Sequence, residues 1–315
     1  MIRLSYLIFL LLFINISLNA QHSIKTHEGV NIGGIGQWIG TQSNDDTKPL
    51  LLFLHGGPGF SSRPYSKKFI KHLKNDFIIA QWDQRGTGIT AAWGNDSDPI
   101  SLELMYNDTK DVVDYLLKKF GKDKLYLVGF SWGGFLGHQF AHEYPELLYA
   151  YISVSPMIHG SGSDRLTKRI LIEKAQNANN FHAIKDLSQI SIPYNSWEEL
   201  YKLRKWTASF SEKKVTNKQF PPSLFRTWSQ KWMPLFLEAS NMNIAESVPE
   251  IRCPIYFFLS DKDLVANYKV TQNYYNKLKA SHKHIVWFDQ STHEIPSQEP
   301  KKFAMELIKI GQLSL

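Results

Sequence analysis

Ser131 is the first candidate for chemistry, because it lies at the centre of a G-x-S-x-G pattern that runs from Gly129 to Gly133. This pattern is typical of a sharp turn between a strand and a helix, which exposes the serine oxygen at the carboxyl end of a sheet. Glycines are needed there because the turn is tight. A glycine-rich helix start with a capping serine gives the same pattern. A nucleophile therefore requires a base and an orienting acid elsewhere in the chain.

An acid and a histidine follow in the order that such a site requires, serine, then acid, then histidine. Asp261 and Asp263 come after the apolar run IYFFLS, and His293 comes after the run HIVWFD. If both runs are parallel strands, their carboxyl ends lie at the same edge of the sheet as Ser131. We expect Asp263, which lies further into its loop, to orient His293, and Asp261 to form the turn.

Two backbone N–H groups are needed to stabilise the negative charge that develops on the substrate oxygen. The segment LHGGPG, residues 54–59, ends an apolar run in glycines that let the backbone approach a ligand closely. We predict the N–H of Gly57 as one donor and the N–H of Trp132, which follows the nucleophile, as the other.

The segment DQRGTG, residues 83–88, follows another apolar run. Asp83 and Arg85 in this segment are predicted to pair and to hold loops together.

The elements that position these residues are predicted from an alternation of short apolar runs with helix-period segments, which indicates a doubly wound, mostly parallel α/β sheet. Ser101 is expected to cap a helix that ends at Phe120, and a final helix is expected over Pro300 to Ile310. The stretch 157–250 has no convincing strand and predicts a helical cap over one end of the sheet. The predicted strand runs are IGQWIGT, LLLFLHG, FIIAQWD, LYLVGF, AYISVSP, IYFFLSD and HIVWFD. The predicted α/β core comprises residues 21–156 and 251–315.

Composition narrows the function classes. The 315 residues are 43% hydrophobic with a formal net charge of +7, as in an ordinary globular protein with a basic surface. The lysines are scattered over predicted outer helix faces, so we expect no nucleic-acid partner. His138 and His142 have a spacing that suits a metal, but no third ligand is evident. We therefore predict no metal and no cofactor.

The first twenty residues resemble a secretory signal peptide. Arg3 is the only charged residue among them, and the apolar run from Leu7 to Ile14 is too short to span a bilayer. Cys253 is the only cysteine in the chain, so no internal disulfide is possible. This combination predicts an exported bacterial protein, periplasmic or secreted, with no membrane association after removal of the signal.

Taken together, HGGPG, DQRGTG, GFSWGG, the acid loop and the late histidine resemble the proline iminopeptidase family of α/β-hydrolases. The resemblance implies an α/β-hydrolase core with a helical cap and release of an N-terminal residue, often proline, from peptides. It also implies that acidic cap residues hold the free amino group of the substrate. Among the glutamates of the cap we favour Glu238, because its sequence neighbours in MPLFLEAS are apolar. The other available residues are Glu173, Glu198, Glu199, Glu212 and Glu246.

Two other functions remain open from the sequence. A carboxylesterase or lactonase needs the same triad and no ammonium-binding acid, so its substrate would be an ester and not a small peptide. A non-catalytic sensor would use the cap only to bind a small molecule. Epoxide hydrolases and dehalogenases are excluded, because their nucleophile at the elbow is an aspartate and not a serine.

Export is testable on the chain itself. We expect the mature protein to begin near Gln21, so that the mass of protein recovered from the periplasm or medium is lower by about twenty residues. Mass spectrometry of the intact protein measures this difference. Full-length soluble protein in the cytoplasm would contradict the prediction.

Overall fold

A computed structural model of the chain describes residues 22–94, 99–211 and 221–313. The predicted signal segment, residues 1–20, and Glu212 lie outside the described residues. The strands of the structure are β1 (Ile24–Ile32), β2 (Ile35–Ser43), β3 (Leu50–Leu54), β4 (Ile78–Asp83), β5 (Leu125–Phe130), β6 (Leu148–Val154), β7 (Glu250–Ile251), β8 (Ile255–Leu259), β9 (Lys279–Ala280) and β10 (Lys283–Trp287).

Eight of these strands form one sheet in the order β1-β2-β4-β3-β5-β6-β8-β10. From β4 to β10 in this order, all neighbouring strands pair in parallel. At one edge of the sheet, β2 pairs antiparallel with both β1 and β4. The predicted doubly wound, mostly parallel sheet is confirmed. Sequence analysis missed β1, because its residues alternate between exposed and half-buried positions at the sheet edge and do not form an apolar run.

Helices cover both faces of the sheet, which explains why β3, β4 and β5 are buried along their whole length. Helices α1 and α12 pack together on one face, and α3 and α4 pack together on the other. The helices outside the cap are α1 (Arg63–Leu73), α2 (Gly88–Ala92), α3 (Leu102–Phe120), α4 (Trp132–Glu143), α10 (Tyr268–Lys277), α11 (Ile295–Gln298) and α12 (Pro300–Leu313), and a 3-10 turn covers Pro145–Leu147.

Helix α3 begins and ends as its sequence predicts. The Ser101 hydroxyl accepts a hydrogen bond from the N–H of Leu104 at 3.2 Å, which is the capping bond expected of a serine before a helix. Gly121 ends the helix in the left-handed conformation that glycine adopts without strain. The last helix, α12, extends three residues beyond the predicted Ile310 and ends at Leu313.

The cap stretch, residues 157–250, contains helices that build an apolar cluster of their own. Pro234 lies inside α8, although a proline in a helix interior usually breaks or kinks the helix. Within the described ranges, no helix combines the length and apolar character needed to cross a bilayer. The helices of this stretch are α5 (Gly160–Asn177), α6 (Phe181–Ser188), α7 (Trp197–Phe210), α8 (Pro222–Asn241) and α9 (Ile244–Ser247).

The predicted pairing of Asp83 with Arg85 is wrong. The guanidinium of Arg85 instead donates to both oxygens of Asp108 at 2.9 Å, and it also donates to the carbonyl of Gly33 at 2.9 Å. The carboxylate of Asp83 accepts from the N–H of Ile89 at 2.8 Å. The two side chains have different partners, so each of them anchors a different segment of the chain.

Breaking the Arg85–Asp108 pair should destabilise the protein strongly, because both side chains are almost fully buried. Replacing Arg85 by Met leaves a buried carboxylate without its partner, and we expect the free energy of unfolding to fall by about 3–5 kcal/mol. Denaturant unfolding measures the change. As a control, Lys309→Met removes the exposed partner of Glu306 and should cost less than about 1 kcal/mol. Equal effects of the two substitutions would contradict this account.

Candidate active site

Ser131 joins β5 to α4 in a backbone conformation that few residues other than glycine adopt, with φ 54° and ψ −110°. Its N–H donates to the carbonyl of Val154 at 3.0 Å, and its carbonyl accepts from the N–H of Gly134 at 2.9 Å. Gly133 cannot carry a side chain, because a Cβ there would collide with the backbone carbonyl of Leu54. The sharp turn expected from the sequence is present, and Ser131 lines a cavity.

Side chains from three separate loops form one hydrogen-bonded chain at this turn. Nε2 of His293 lies 3.0 Å from Oγ of Ser131, and Nδ1 of His293 lies 2.9 Å from Oδ2 of Asp263. Because an ionised carboxylate only accepts, we assign the imidazole proton to Nδ1. Nε2 is then free to accept the hydroxyl proton of Ser131. The structure thus brings together the three residues that the sequence singled out.

The surroundings of His293 strengthen it as a proton acceptor. Burial lowers the pKa of this imidazole, but the charge of Asp263 and the hydrogen bond to it outweigh burial, so the pKa of His293 is raised. Glu294 adds a smaller effect in the same direction, and Arg204 a smaller one in the opposite direction. A base with a raised pKa takes up a proton more readily, and it is converted to the imidazolium at a higher pH than a free histidine as the pH falls.

Asp263 is held in place by its own loop. It is 1% exposed, and its Oδ1 accepts from the N–H groups of Val265 and Ala266 at 2.9 and 3.0 Å. This arrangement leaves Oδ2 for His293. Asp261, the alternative orienter, is exposed. The geometry therefore agrees with the choice of Asp263 over Asp261.

Of the predicted oxyanion donors, Gly57 lines both cavities at Ser131, and Trp132 directly follows Ser131 in the chain. Gly57 lines the same cavity as Ser131 and has φ +130°, where a Cβ would come within 2.6 Å of the N atom of Gly59. Trp132 is the first residue of α4, and the first N–H groups of a helix have no acceptor inside the helix. Both positions suit N–H donors beside the hydroxyl.

Gln84 connects the two segments that carry these donors, and sequence analysis did not identify it. The side chain is fully buried, and its oxygen accepts from the indole N–H of Trp132 at 3.0 Å. Its backbone N–H donates to Nε2 of His55, two residues before Gly57, at 3.2 Å. Burial lowers the pKa of His55, which favours the neutral ring that this bond requires. The only sequence signal for Gln84 was its position directly after a buried strand.

Two cavities meet at Ser131. The main cavity has a volume of about 810 Å³, and the side cavity has a volume of about 80 Å³. The cap contributes apolar side chains to the main cavity, including Leu200, Phe225 and Trp228. The residues that line both cavities are Gly57, Ser131, Arg204, Phe236 and Val265.

Glu238, the predicted amine-binding residue, is not part of this site. It is exposed on α8 and lines neither cavity. The buried residues of this part of the helix, Leu235, Phe236 and Ala239, lie on one face. With about 100° between successive residues, Glu238 points roughly away from Phe236. The apolar sequence neighbours of Glu238 therefore did not imply that its side chain lies in an apolar environment.

Two carboxylates line the cavities instead. Asp164, in the side cavity, is fully buried, and its oxygens accept from the guanidinium of Arg204 at 2.6 and 3.1 Å and from the hydroxyl of Tyr194 at 2.7 Å. Its charge is therefore neutralised by Arg204. Glu294, in the main cavity, directly follows His293 and has no ion pair or side-chain hydrogen bond with any described residue. Sequence analysis did not single out either carboxylate.

His138 and His142 do not form a metal site in the described structure. Nδ1 of His138 lies 2.7 Å from the carbonyl of Gly134 inside the core, whereas Nδ1 of His142 lies 2.7 Å from the carbonyl of Glu250. Across residues 22–94, 99–211 and 221–313, no three acidic, histidine or cysteine side chains converge as metal ligands would. The two histidines have local packing partners.

The chain is similar to known proteins in both sequence and structure. A model of the family described as "Serine aminopeptidase, S33" matches residues 45–301. The chain is 27% identical over 307 residues to "Probable aminopeptidase YbaC" of Bacillus subtilis (strain 168), which covers 91% of this chain and 96% of the relative. The family match includes all three residues of the hydrogen-bonded chain.

Solved structures share the fold at lower identity. The proline iminopeptidase of Mycobacterium smegmatis superposes with a TM-score of 0.60 and 14% identity, covering 92% of this chain and 98% of that one. A thermophilic esterase from Thermogutta terrifontis superposes with a TM-score of 0.55 and 15% identity, covering 92% of this chain and 99% of that one. These similarities confirm the α/β-hydrolase fold, which hosts more than one activity.

The site predicts a sharp difference between two neighbouring aspartates. Asp263→Asn should lower kcat by about 10⁴, because an amide favours the wrong tautomer of His293 and cannot stabilise the imidazolium. Asp261→Asn makes the same chemical change on an exposed side chain and should leave turnover close to that of the wild type. Initial rates with 4-nitrophenyl acetate compare the two variants. A severe loss in Asp261→Asn with an active Asp263→Asn would move the orienting role to Asp261.

Proposed function

The chain belongs to the serine aminopeptidase (S33) family, and we propose that it is a serine hydrolase that releases N-terminal residues from peptides, as a proline iminopeptidase does. The observation that carries the proposal is the hydrogen-bonded chain of Asp263, His293 and Ser131, which opens onto a cavity large enough for a small peptide. The relative named as a probable aminopeptidase, which aligns over nearly the whole chain, supports the peptide substrate.

In the proposed mechanism, Ser131 attacks the carbonyl carbon of the first peptide bond while His293 Nε2 takes the hydroxyl proton. His293 then gives that proton to the leaving amine, and the C–N bond breaks to leave an ester on Ser131. Water, deprotonated by His293, attacks this ester and releases the N-terminal residue. Asp263 keeps the proton of His293 on Nδ1 and stabilises the imidazolium during each transfer.

The N–H groups of Gly57 and Trp132 are proposed to donate to the oxyanion of each tetrahedral intermediate. One such donor typically contributes about 10²–10³ in kcat. Gln84 supports this role indirectly, because it contacts the Trp132 side chain and the strand end that leads to Gly57.

A carboxylesterase or lactonase is the second candidate, and the walls of the cavity favour it. The cap side chains of the main cavity are mostly apolar, and the one cap carboxylate that lines either cavity, Asp164, is neutralised by Arg204 within the described structure. An ester without an amine would need no further counter-charge. A non-catalytic sensor is disfavoured, because binding alone does not require the strained serine or its base.

The proposal predicts which bonds are cleaved. Wild-type protein should hydrolyse aminoacyl 4-nitroanilides, including the proline derivative, and Ser131→Ala should lower turnover by about 10⁴–10⁶. Release of 4-nitroaniline measures both rates. Gln298→Ala serves as a control for folding of a variant in the same cavity wall and should retain far more activity than Ser131→Ala.

Two outcomes would contradict the proposal. If Ser131→Ala keeps more than about a tenth of the wild-type rate, no serine ester forms on the pathway. If wild-type protein cleaves acyl 4-nitrophenyl esters efficiently and no aminoacyl anilide, the esterase alternative replaces the aminopeptidase.

A further inference from the structure

Glu294 and Tyr65 line the main cavity and carry polar groups that the hydrolytic mechanism does not use. These groups are the carboxylate of Glu294 and the hydroxyl of Tyr65, which lies on α1. The hydroxyl is buried and has no hydrogen-bond partner among the described residues. A buried polar group without a partner costs free energy, so a ligand that hydrogen-bonds to it is favoured.

Both residues are neighbours of His293 in the fold. Glu294 is one peptide unit from His293, whose Nε2 is 3.0 Å from Oγ of Ser131. The ring of Tyr65 packs edge-on against Phe130 at 6.5 Å between centroids, and Phe130 packs against the ring of His293 at 5.2 Å. Tyr65 is therefore linked to His293 through the ring of Phe130, and Glu294 is linked to it through the adjacent backbone.

The two groups also act on each other electrostatically. Burial, and after it the negative charge of Glu294, raises the pKa of the Tyr65 hydroxyl, so Tyr65 keeps its proton. The Glu294 side chain is exposed, but nearby protein atoms displace part of the water around its carboxylate. This partial desolvation raises the pKa of Glu294. A cation placed between the two groups would stabilise the carboxylate and give the hydroxyl oxygen a donor.

Lys68 on α1 acts on Glu294 from outside the cavity walls, and the charges within the walls leave this position open to a cation. Asp164 already pairs with Arg204, so their charges compensate. Lys262 lines the main cavity as well, but it is exposed, and water screens its charge. His293 must be neutral to act as the base.

We propose that Glu294, together with the hydroxyl of Tyr65, binds the α-ammonium group of the substrate. The amine subsite then belongs to the hydrolase core, on the histidine loop and α1, and not to the cap. This inference rests on the proposed function, and it names the substrate class as acyl groups that carry a primary or secondary ammonium next to the scissile carbonyl. An ammonium donates several hydrogen bonds, so one of them can reach the carboxylate and another the phenol oxygen.

The test compares free and blocked amines in matched variants. For each protein, kcat/KM is measured with alanine 4-nitroanilide and with N-acetylalanine 4-nitroanilide, and the ratio of the two values is the readout. We expect Glu294→Gln to lower this ratio by about tenfold to a hundredfold, because a charged partner is lost. Tyr65→Phe should lower it by a smaller factor. Glu238→Gln makes the same change on an exposed glutamate outside both cavities and should keep the wild-type ratio.

A second measurement separates this proposal from the proposed function. Alaninamide and N-acetylalaninamide are tested as competitive inhibitors of 4-nitrophenyl acetate hydrolysis, which requires the triad but no cleavage of a peptide bond. If alaninamide binds more tightly and Glu294→Gln abolishes the difference, the subsite is supported even if the wild type cleaves no anilide. If the wild type prefers free amines and Glu294→Gln leaves the preference intact, the subsite is overturned while the aminopeptidase stands. If free and blocked amines behave alike in the wild type, both are overturned.

Discussion

The strained backbone of Ser131 is the constraint on which the rest of the site depends. A residue with a side chain at φ 54° and ψ −110° is held there only if its surroundings compensate the strain. The compensation comes from hydrogen bonds to both backbone groups of Ser131 and from the absence of a side chain at Gly133, which allows α4 to lie against the end of β3. This conformation directs the hydroxyl out of the sheet and towards His293.

The other residues of the site are fixed by hydrogen bonds that cross between loops. Gln84 holds the segment before Gly57 and the indole of Trp132 at once, so the two proposed oxyanion donors are connected through one buried side chain. The histidine loop is held by a further hydrogen bond, in which the carboxylate of Glu299 accepts from the hydroxyl of Ser291 at 2.6 Å. Preorganised donors and acceptors of this kind need no rearrangement when charge develops on the substrate.

The cap also holds parts of the core in place. Helix α5 reaches the acid loop, where the hydroxyl of Thr167 donates to the carbonyl of Leu264 at 2.8 Å. Helix α8 reaches the glycine-rich loop, where the indole N–H of Trp228 donates to the carbonyl of Pro58 at 2.8 Å. Leu264 follows Asp263, and Pro58 follows Gly57. A movement of the cap would therefore shift the backbone next to the orienting acid and next to a proposed oxyanion donor. The cap is thus hydrogen-bonded to both of these loops of the core.

The sequence by itself determined the parallel strands of the sheet, the turn at Ser131 and the order of the acid and the histidine. These features are local, because strand periodicity and the glycine spacing of a tight turn are set by residues that are neighbours in the chain, and parallel strands bring their carboxyl ends to one edge. Only the tertiary structure decided the partners of individual charges. Glu238 faces outward because helix rotation and packing, not sequence neighbours, choose the buried face, and Arg85 pairs with Asp108 from a distant helix. Glu294 becomes a candidate for binding the substrate amine for the same reason. Only the folded chain shows which carboxylate next to the triad has no ion-pair partner among the described residues.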